Sequence, residues 1–291
     1  MSRSSTLHGI VVVRTSWLSG TLADSELFMC GFSSHRLASV ILGLVSLAIL
    51  ASCSGFGIDV DAGYTSLELD GDIGLNPTVG GVNLDTVRAD VQSDLGLSDK
   101  MKSAYGRIEA AAGIASFTFS GFDIDQDGTG QLTVQFGDIP LNTPVRTSIA
   151  MKNLKGAVHF DVINFGPVRL SPGIGVDLFD LNIDVQSVLV PTLRESVDAL
   201  APIPMLFLQG EVDLGYLDFT ADVGGMKINL QDGNGTFFDV EAILRVRPAD
   251  YVELFAGYRY ILLDVEGQAD NQRFLGDLTL RGFMVGGGIY F

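Results

Sequence analysis

Hydrophobic and polar residues alternate along most of the chain after residue 104. In Phe238–Arg247 every even-numbered position is apolar, whereas four of the five odd-numbered positions carry a charge. In Tyr251–Asp264 the even-numbered positions from 252 to 262 are apolar, with Glu253 and Arg259 on the opposite face. A period of two with one apolar face is typical of β-strands.

Eight segments of this kind predict an all-β fold, and their centres fall near residues 115, 155, 177, 208, 222, 242, 257 and 284. We interpret them as the strands of a single up-and-down antiparallel transmembrane β-barrel over residues 104–291. An even number of strands returns both ends of the barrel to the same side. Residues 53–103 are expected to form a partly ordered leader, and a ten-stranded barrel is the alternative.

The pattern also predicts where the strands are interrupted. The alternation in Leu170–Gln186 reverses its phase near Phe179 and Asp180, which predicts a β-bulge. Longer polar connections are expected at about 124–145, 187–201, 229–235 and 265–276, and short turns between them.

The extent of the apolar faces points to a membrane. Each predicted strand has about five or six outward apolar residues, which suits the 9–11 residues that a tilted strand needs to cross a bilayer. Hydrophobic residues make up 47% of the chain, yet no apolar run after Cys53 is long enough for a spanning helix. We therefore expect a bacterial outer-membrane location, with outer-membrane lipids as partners.

The longest uninterrupted apolar run is Leu37–Ser52, which follows a histidine and an arginine. Its length suits the central region of a signal peptide better than a spanning helix. Because Met29 lies just upstream, we interpret residues 29–52 as the signal peptide and residues 1–28 as an over-extended gene start. The alternative is a long but genuine leader.

The run ends in Leu50-Ala51-Ser52-Cys53, which resembles the lipobox of bacterial lipoproteins. The resemblance implies cleavage before Cys53 and attachment of lipid to that residue, which would add membrane affinity. The alternative is an ordinary signal peptidase site within 51–55.

The chain ends in Gly286-Gly287-Gly288-Ile289-Tyr290-Phe291. Gly286, Ile289 and Phe291 resemble the C-terminal signal that the outer-membrane assembly machinery recognises. The segment Phe255-Ala256-Gly257-Tyr258-Arg259-Tyr260 is similar to the penultimate strand of small OmpW/OmpX-like barrels. This resemblance covers roughly residues 104–291 and implies a small outer-membrane barrel with the assembly machinery as a partner.

The charge and the histidines limit the candidate chemistry. A formal net charge of −17 makes nucleic acid an improbable partner, since its phosphates would be repelled. After residue 52 the single histidine is His159, which we expect inside the barrel beside Asp161 as a hydrogen-bonded residue. No catalytic pair is recognisable, so we expect no enzyme activity.

Asp123, Asp125 and Asp127, followed by glycine, match the opening of a calcium-binding loop. The twelfth position of such a loop would be Val134 instead of glutamate. The favoured alternative is therefore a solvated hairpin tip with no cofactor.

A three-residue turn at 248–250 would place the residues of the two flanking strands opposite each other in pairs whose numbers sum to 498. With the same argument for the turn at 165–167, the interior is predicted to contain the pairs Arg245 with Glu253, Asp239 with Arg259, and Lys155 with Asp177. Across Leu214 and Gly215, the like-charged Glu211 and Asp218 would need Arg245 or Arg247 as a partner.

These features predict a non-enzymatic outer-membrane barrel that is structural or a narrow passage for small solutes. One alternative is a surface-exposed binding or adhesion protein that acts through acidic loops. Another is a lipid-anchored soluble carrier of the lipocalin type, which the predicted charged interior disfavours.

Overall fold

The structure, a computed structural model, describes residues 11–13, 56–77, 88–97, 100–230, 233–269 and 272–291. Its strands are β1 (Val11–Val13), β2 (Phe56–Pro77), β3 (Ala89–Asp90), β4 (Met101–Ala112), β5 (Ala115–Gln131), β6 (Pro144–Phe160), β7 (Ile163–Phe165), β8 (Val168–Ser187), β9 (Arg194–Asp213), β10 (Leu217–Leu230), β11 (Gly233–Ala249), β12 (Val252–Ala269) and β13 (Gln272–Tyr290). Within the described ranges, no helix is long and apolar enough to cross a membrane. Met29 and Cys53, and with them the predicted cleavage and lipidation sites, lie outside the described residues.

Ten strands close into a barrel in the order β2, β4, β5, β6, β8, β9, β10, β11, β12, β13. Each pairs antiparallel with the next, and β13 pairs with β2 from Gln272 opposite Pro77 to Tyr290 opposite Asp59. The short strands β3 and β7 add to β2 and β8, and β1 runs parallel to part of β9. The predicted antiparallel barrel is confirmed; the eight-strand count is wrong, and the ten-strand alternative is correct.

Two of the ten barrel strands have only weak signals in the sequence, so the prediction does not include them. The segment predicted as one strand around residue 115 is the hairpin of β4 and β5, which turns at Gly113 with a φ of 67°. Alanines flank this turn, so a single glycine was its only signal. β2 has aspartates on both faces and no clean apolar stripe. The barrel therefore begins at Phe56, and the predicted leader over 53–103 supplies a wall strand.

The two ends of the barrel differ in their connections. We call one the hairpin end, where residues 113–114, 214–216 and 250–251 join strands. The opposite loop end carries residues 132–143 and 188–193. The loops predicted at this end are shorter than expected, because strands occupy much of them. The polar residues of these segments face outward from strands that extend beyond the part of the barrel with an apolar outer surface.

In every barrel strand except β4, the apolar residues change from the outward face to the inward face along the strand. The hairpin half and the loop half of the barrel meet near residues 66, 121, 153, 178, 204, 225, 238, 262 and 282. In the hairpin half the outward side chains are mostly apolar and the interior is mostly polar. In the loop half the arrangement is inverted: acidic and other polar residues face outward, and apolar side chains fill the interior.

β8 shows the inversion clearly. Ile174 and Val176 face outward while Asp177 is buried, and then Phe179 is buried while Asp180 is exposed. The pairing of β8 with β6 and with β9 continues without a shift through these residues. The predicted β-bulge is therefore wrong. The phase of the apolar pattern reverses because the barrel interior changes from polar to apolar at this point, while the strand itself continues.

Two segments between strands fold into the interior of the loop half and fill it. Val91 and Leu95, from the segment after β3, are fully buried in its apolar core. Phe136 and Ile139, from the connection between β5 and β6, pair through backbone hydrogen bonds and pack into the same core. The interior at this end is thus packed with side chains.

Candidate functional site: the charged interior of the hairpin half

Six charged side chains form the centre of the hairpin half, and none is more than 2% exposed. We call them the ionic cluster: Arg107, Lys155, Asp222, Asp239, Glu241 and Arg259. They come from β4, β6, β10, β11 and β12, so they meet across the barrel as well as between neighbouring strands. Buried charges are tolerated when they are paired and hydrogen-bonded.

Glu241 is the hub of the cluster. Its Oε1 accepts a hydrogen bond from Arg107 NH1 at 2.6 Å and another from the Tyr105 hydroxyl at 2.9 Å. Its Oε2 lies 3.4 Å from Lys155 Nζ and 3.5 Å from Arg259 NH1. One carboxylate therefore contacts three cations. The sequence placed Glu241 on the inward face but did not identify these partners.

The other two carboxylates of the cluster pair with the same three cations. Asp222 accepts from Arg107 NH1 at 2.6 Å, and Asp239 lies 3.1 Å from Lys155 Nζ. Arg259 binds Asp239 through two hydrogen bonds of 3.2 Å. Arg107 also contacts Glu109, which lies outside the cluster, at 2.9 Å, so carboxylates outnumber cations around these three positive charges.

The structure brings the predicted interior residues together, although not always as predicted. Lys155 and Asp177 are opposite each other in the register of β6 and β8, as expected. The Lys155 ammonium nevertheless contacts Asp239 and Glu241, while Asp177 accepts from Asn153 and lies 3.7 Å from Arg259 NH2.

The register of β11 and β12 differs by two residues from the prediction. Arg245 lies opposite Phe255 instead of Glu253, and Asp239 opposite Ile261 instead of Arg259. The cause is a two-residue turn with an irregularity between Val246 and Ala249 in place of the three-residue turn.

A shift of two keeps every side chain on its predicted face. Long side chains then reach diagonal neighbours. Arg259 accordingly binds Asp239, and Arg245 Nε lies 3.6 Å from Glu253 Oε1.

A second charged group lies at the mouth of the hairpin end. Arg245 contacts Asp61 and Asp218, each at 3.0 Å. Asp218 lies opposite Asp213 instead of Glu211, again a shift of two, and Arg245 is its cationic partner. The cavity here has a volume of about 170 Å³.

His159 and the three aspartates of β5 occupy different surroundings from each other. His159 is buried, and its Nε2 lies 3.0 Å from the Thr118 hydroxyl. Its ring contacts the Phe207 ring at a tilt of 43°. Asp123, Asp125 and Asp127 all lie within β5 and face outward, so the predicted hairpin tip is wrong. Same-face neighbours in a strand are about 6.6 Å apart, so these carboxylates do not converge as in a calcium loop.

The C-terminal motif lies in the last barrel strand and the residue after it. Gly286 faces inward, where a Cβ would come within 2.3 Å of the Ala62 carbonyl oxygen, so only glycine fits. Ile289 and Phe291 are exposed, and Phe291 exchanges backbone hydrogen bonds with Ile58.

A closed antiparallel barrel that is apolar outside and charged inside over the same half has the architecture of a transmembrane β-barrel. Solved structures with a similar fold are outer-membrane barrels. The outer membrane protease OmpT from Escherichia coli is 9% identical to this chain, with a TM-score of 0.47. The match covers 83% of this chain and 99% of the OmpT chain. OprG from Pseudomonas aeruginosa is 8% identical, covers 81% and 95%, and has a TM-score of 0.42. Ail of Yersinia pestis is 10% identical, covers 82% and 100%, and has a TM-score of 0.36.

These similarities concern the fold alone. A scan against protein-family models finds no match, and a search of curated proteins finds no similar sequence.

Proposed function

We propose that the chain is a non-enzymatic bacterial outer-membrane barrel with a closed interior, and that its role is structural rather than conducting. The observation that carries this proposal is the ionic cluster, whose members are at most 2% exposed, in series with the apolar core of the loop half. A diffusing solute would have to displace both.

The membrane location rests on the outward face of the hairpin half. Leu206, Leu254 and Phe283 are 76%, 56% and 73% exposed there, on strands far apart in the sequence. An apolar band around a barrel is stable in lipid and unfavourable in water. Short turns of such barrels face the periplasm. The hairpin end would therefore be periplasmic and the loop half would project outside the cell.

The absence of enzyme activity is part of the proposal. His159 contacts Thr118, and its Nδ1 has no hydrogen-bond partner among the described residues. In that part of the chain no carboxylate orients the ring as in a nucleophile–base–acid arrangement. The net charge of −17 likewise supports the absence of a nucleic-acid partner.

Surface binding is a second candidate function, because the loop half would stand clear of the membrane. Its outward face carries exposed acidic residues on several strands, among them Asp125, Asp180 and Asp264. Such a face suits a basic partner. Asp125→Asn combined with Asp180→Asn and Asp264→Asn should reduce attachment of whole cells to a basic surface if this function holds.

Export, lipidation and assembly complete the proposal. Labelling with a radioactive fatty acid should mark the protein and should fail for Cys53→Ser. If Gly286, Ile289 and Phe291 form the assembly signal, removal of Phe291 should lower the inserted yield without blocking export. Unlabelled protein or unchanged insertion would contradict the respective step.

The test of the main proposal is fractionation combined with reconstitution. We expect the protein in the outer-membrane fraction, with gel mobility that shifts on heating, and no swelling of sugar-loaded liposomes that contain it. A soluble protein without a mobility shift would refute the membrane proposal, and rapid swelling would refute the closed interior.

A further inference from the structure

One edge of β9 has no barrel strand beside it in the loop half. β8 pairs with β9 over residues 194–212. β10 stops pairing with β9 at Gly225, opposite Leu206, although β10 itself continues to Leu230 alongside β11. Among the described barrel strands, none therefore pairs with the second edge of β9 over residues 194–205.

The hydrogen bonds at the ends of the β8–β9 ladder show which backbone groups face this second edge. The Asp213 N–H donates to the Pro167 carbonyl at 2.8 Å, and the Ser187 N–H donates to the Leu193 carbonyl at 3.0 Å. In an antiparallel pair, the backbone groups of successive residues point alternately to the two sides of the strand. Odd-numbered residues of β9 thus direct their N–H and C=O groups at β8, and even-numbered residues direct theirs at the second edge.

Two prolines divide the second edge into a blocked part and an open part. Pro202 and Pro204 are even-numbered, and proline has no N–H to donate. β10 finds no donor at either position, which accounts for the end of its pairing at Leu206. Toward the loop end, three residues keep N–H groups that point away from β8: Ser196, Asp198 and Leu200. A strand edge with free donors and acceptors is a template for another strand.

β1 shows that this open part accepts a strand. Val11–Val13 pair in parallel with residues 197–199 of β9. Because β8 pairs with one edge of the same residues, β1 lies on the other edge. β1 consists of three β-branched residues, and Arg14 follows it in the sequence. It belongs to residues 1–52, which the proposed export step removes, so the exported protein would have this edge without β1.

We propose that the open edge of β9 binds an extended segment of another protein by β-strand addition, and that the segment is β-branched and basic like residues 10–14. The inference rests on the proposed surface-binding role and specifies its partner. Main-chain hydrogen bonds supply the affinity in this mode of recognition, and side chains supply the specificity. Asp198 on the edge and Asp180 of β8, opposite Leu200, favour a basic segment and disfavour a second copy of this acidic chain.

The probe is a fluorescent synthetic peptide of residues 8–16, HGIVVVRTS. The exported protein is purified in detergent from whichever fraction contains it, and mass spectrometry determines its first residue. Fluorescence anisotropy then measures binding of the peptide. We expect saturable binding that a peptide of the same composition in scrambled order does not reproduce.

A matched pair of variants tests whether the backbone of β9 makes the contact. Asp198→Pro removes an N–H from the open edge and leaves the residues that bond to β8 unchanged, so we expect binding to weaken at least about tenfold. Asp198→Asn removes the charge and keeps the N–H, so we expect a change within about threefold. Heat-dependent gel mobility verifies that both variants are folded.

A matched pair of peptides gives the same test without any change to the protein. Since Asp198 lies opposite Val12 and directs its backbone at this edge, it bonds to the residues on either side of Val12. N-methylation of Val13 in the peptide should therefore abolish binding, whereas N-methylation of Val12, whose N–H points away from β9, should preserve it.

No binding by the wild-type protein, or equal effects within either matched pair, would overturn the inference. Retention of Val11–Val13 in the exported protein would also overturn it, because β1 would then be the occupant. A dimer that Asp198→Pro dissociates would do the same, because the occupant would be a second copy. These results do not depend on fractionation or conduction, so failure here is distinguishable from failure of the proposed function.

Discussion

Glu241 illustrates how a single residue can hold a barrel interior together. Its two oxygens contact Arg107, Lys155 and Arg259, which come from three different strands. The attraction between these groups offsets the cost of removing them from water only while all partners are present. Loss of the carboxylate would leave three buried cations without their common partner.

Glu241→Gln is expected to lower the free energy of unfolding by about 3–5 kcal/mol, since it strands the buried cations while preserving shape. The measurement is urea unfolding in phospholipid vesicles. Asp264→Asn, at an exposed position of β12, serves as the control and should change the stability little. Equal effects of the two variants would show that the cluster contributes no specific stability.

The charged residues of β11 and β12 meet inside the barrel although the predicted register of these two strands is wrong. The predicted partners of Arg245 and Arg259 still approach them, because a shift of two leaves each residue on the same face. The sequence pattern contains no signal for contacts across the barrel, such as that of Arg107 with Glu241. These residues are 134 positions apart and lie on strands that are not neighbours.

At the scale of the element, a strand here passes through two environments. β8 is apolar on its outward face as far as Val176 and apolar on its inward face from Phe179 onward. In the proposed placement, a single amphipathic strand faces lipid along one half and water along the other. The point of reversal marks the outer edge of the proposed apolar band.

Two matched leucines test this division. Leu244 lies midway along the hairpin half of β11 and is 42% exposed, and Leu200 lies in the loop half and is 55% exposed. Leu244→Arg should cost about 2–4 kcal/mol, because that position is near the middle of the apolar band, whereas Leu200→Arg should cost about 0–1 kcal/mol. Unfolding in vesicles measures both, and equal costs would contradict the placement of the band.

Closure of ten strands can be tested through the pairing of β2 with β13. Tyr64 and Val285 are opposite each other and exposed on the outward face. In a background without the two native cysteines, Tyr64→Cys with Val285→Cys should form a disulfide on oxidation. Tyr64→Cys with Leu254→Cys, two strands apart, is the control. An eight-stranded barrel that omits β2 would give no disulfide in either pair.

The whole molecule contains two obstructions in series. The ionic cluster fills the hairpin half, and the apolar core with its inserted segments fills the loop half. We therefore expect that Arg107→Ala with Glu241→Ala lowers stability but opens no channel, because the apolar core remains. Planar-bilayer recordings check this expectation. Steady open-channel current from the wild type would favour a passage for solutes.

The sequence alone determined the fold class, the antiparallel arrangement and the inward face of the charged residues. These properties depend on a period of two, which is local and visible in segments such as Phe238–Arg247. Only the tertiary structure decided the number of strands and the partners of each charge. The turn at Gly113 has almost no local signal, and closure of the barrel brings together residues whose separation along the chain no local pattern records.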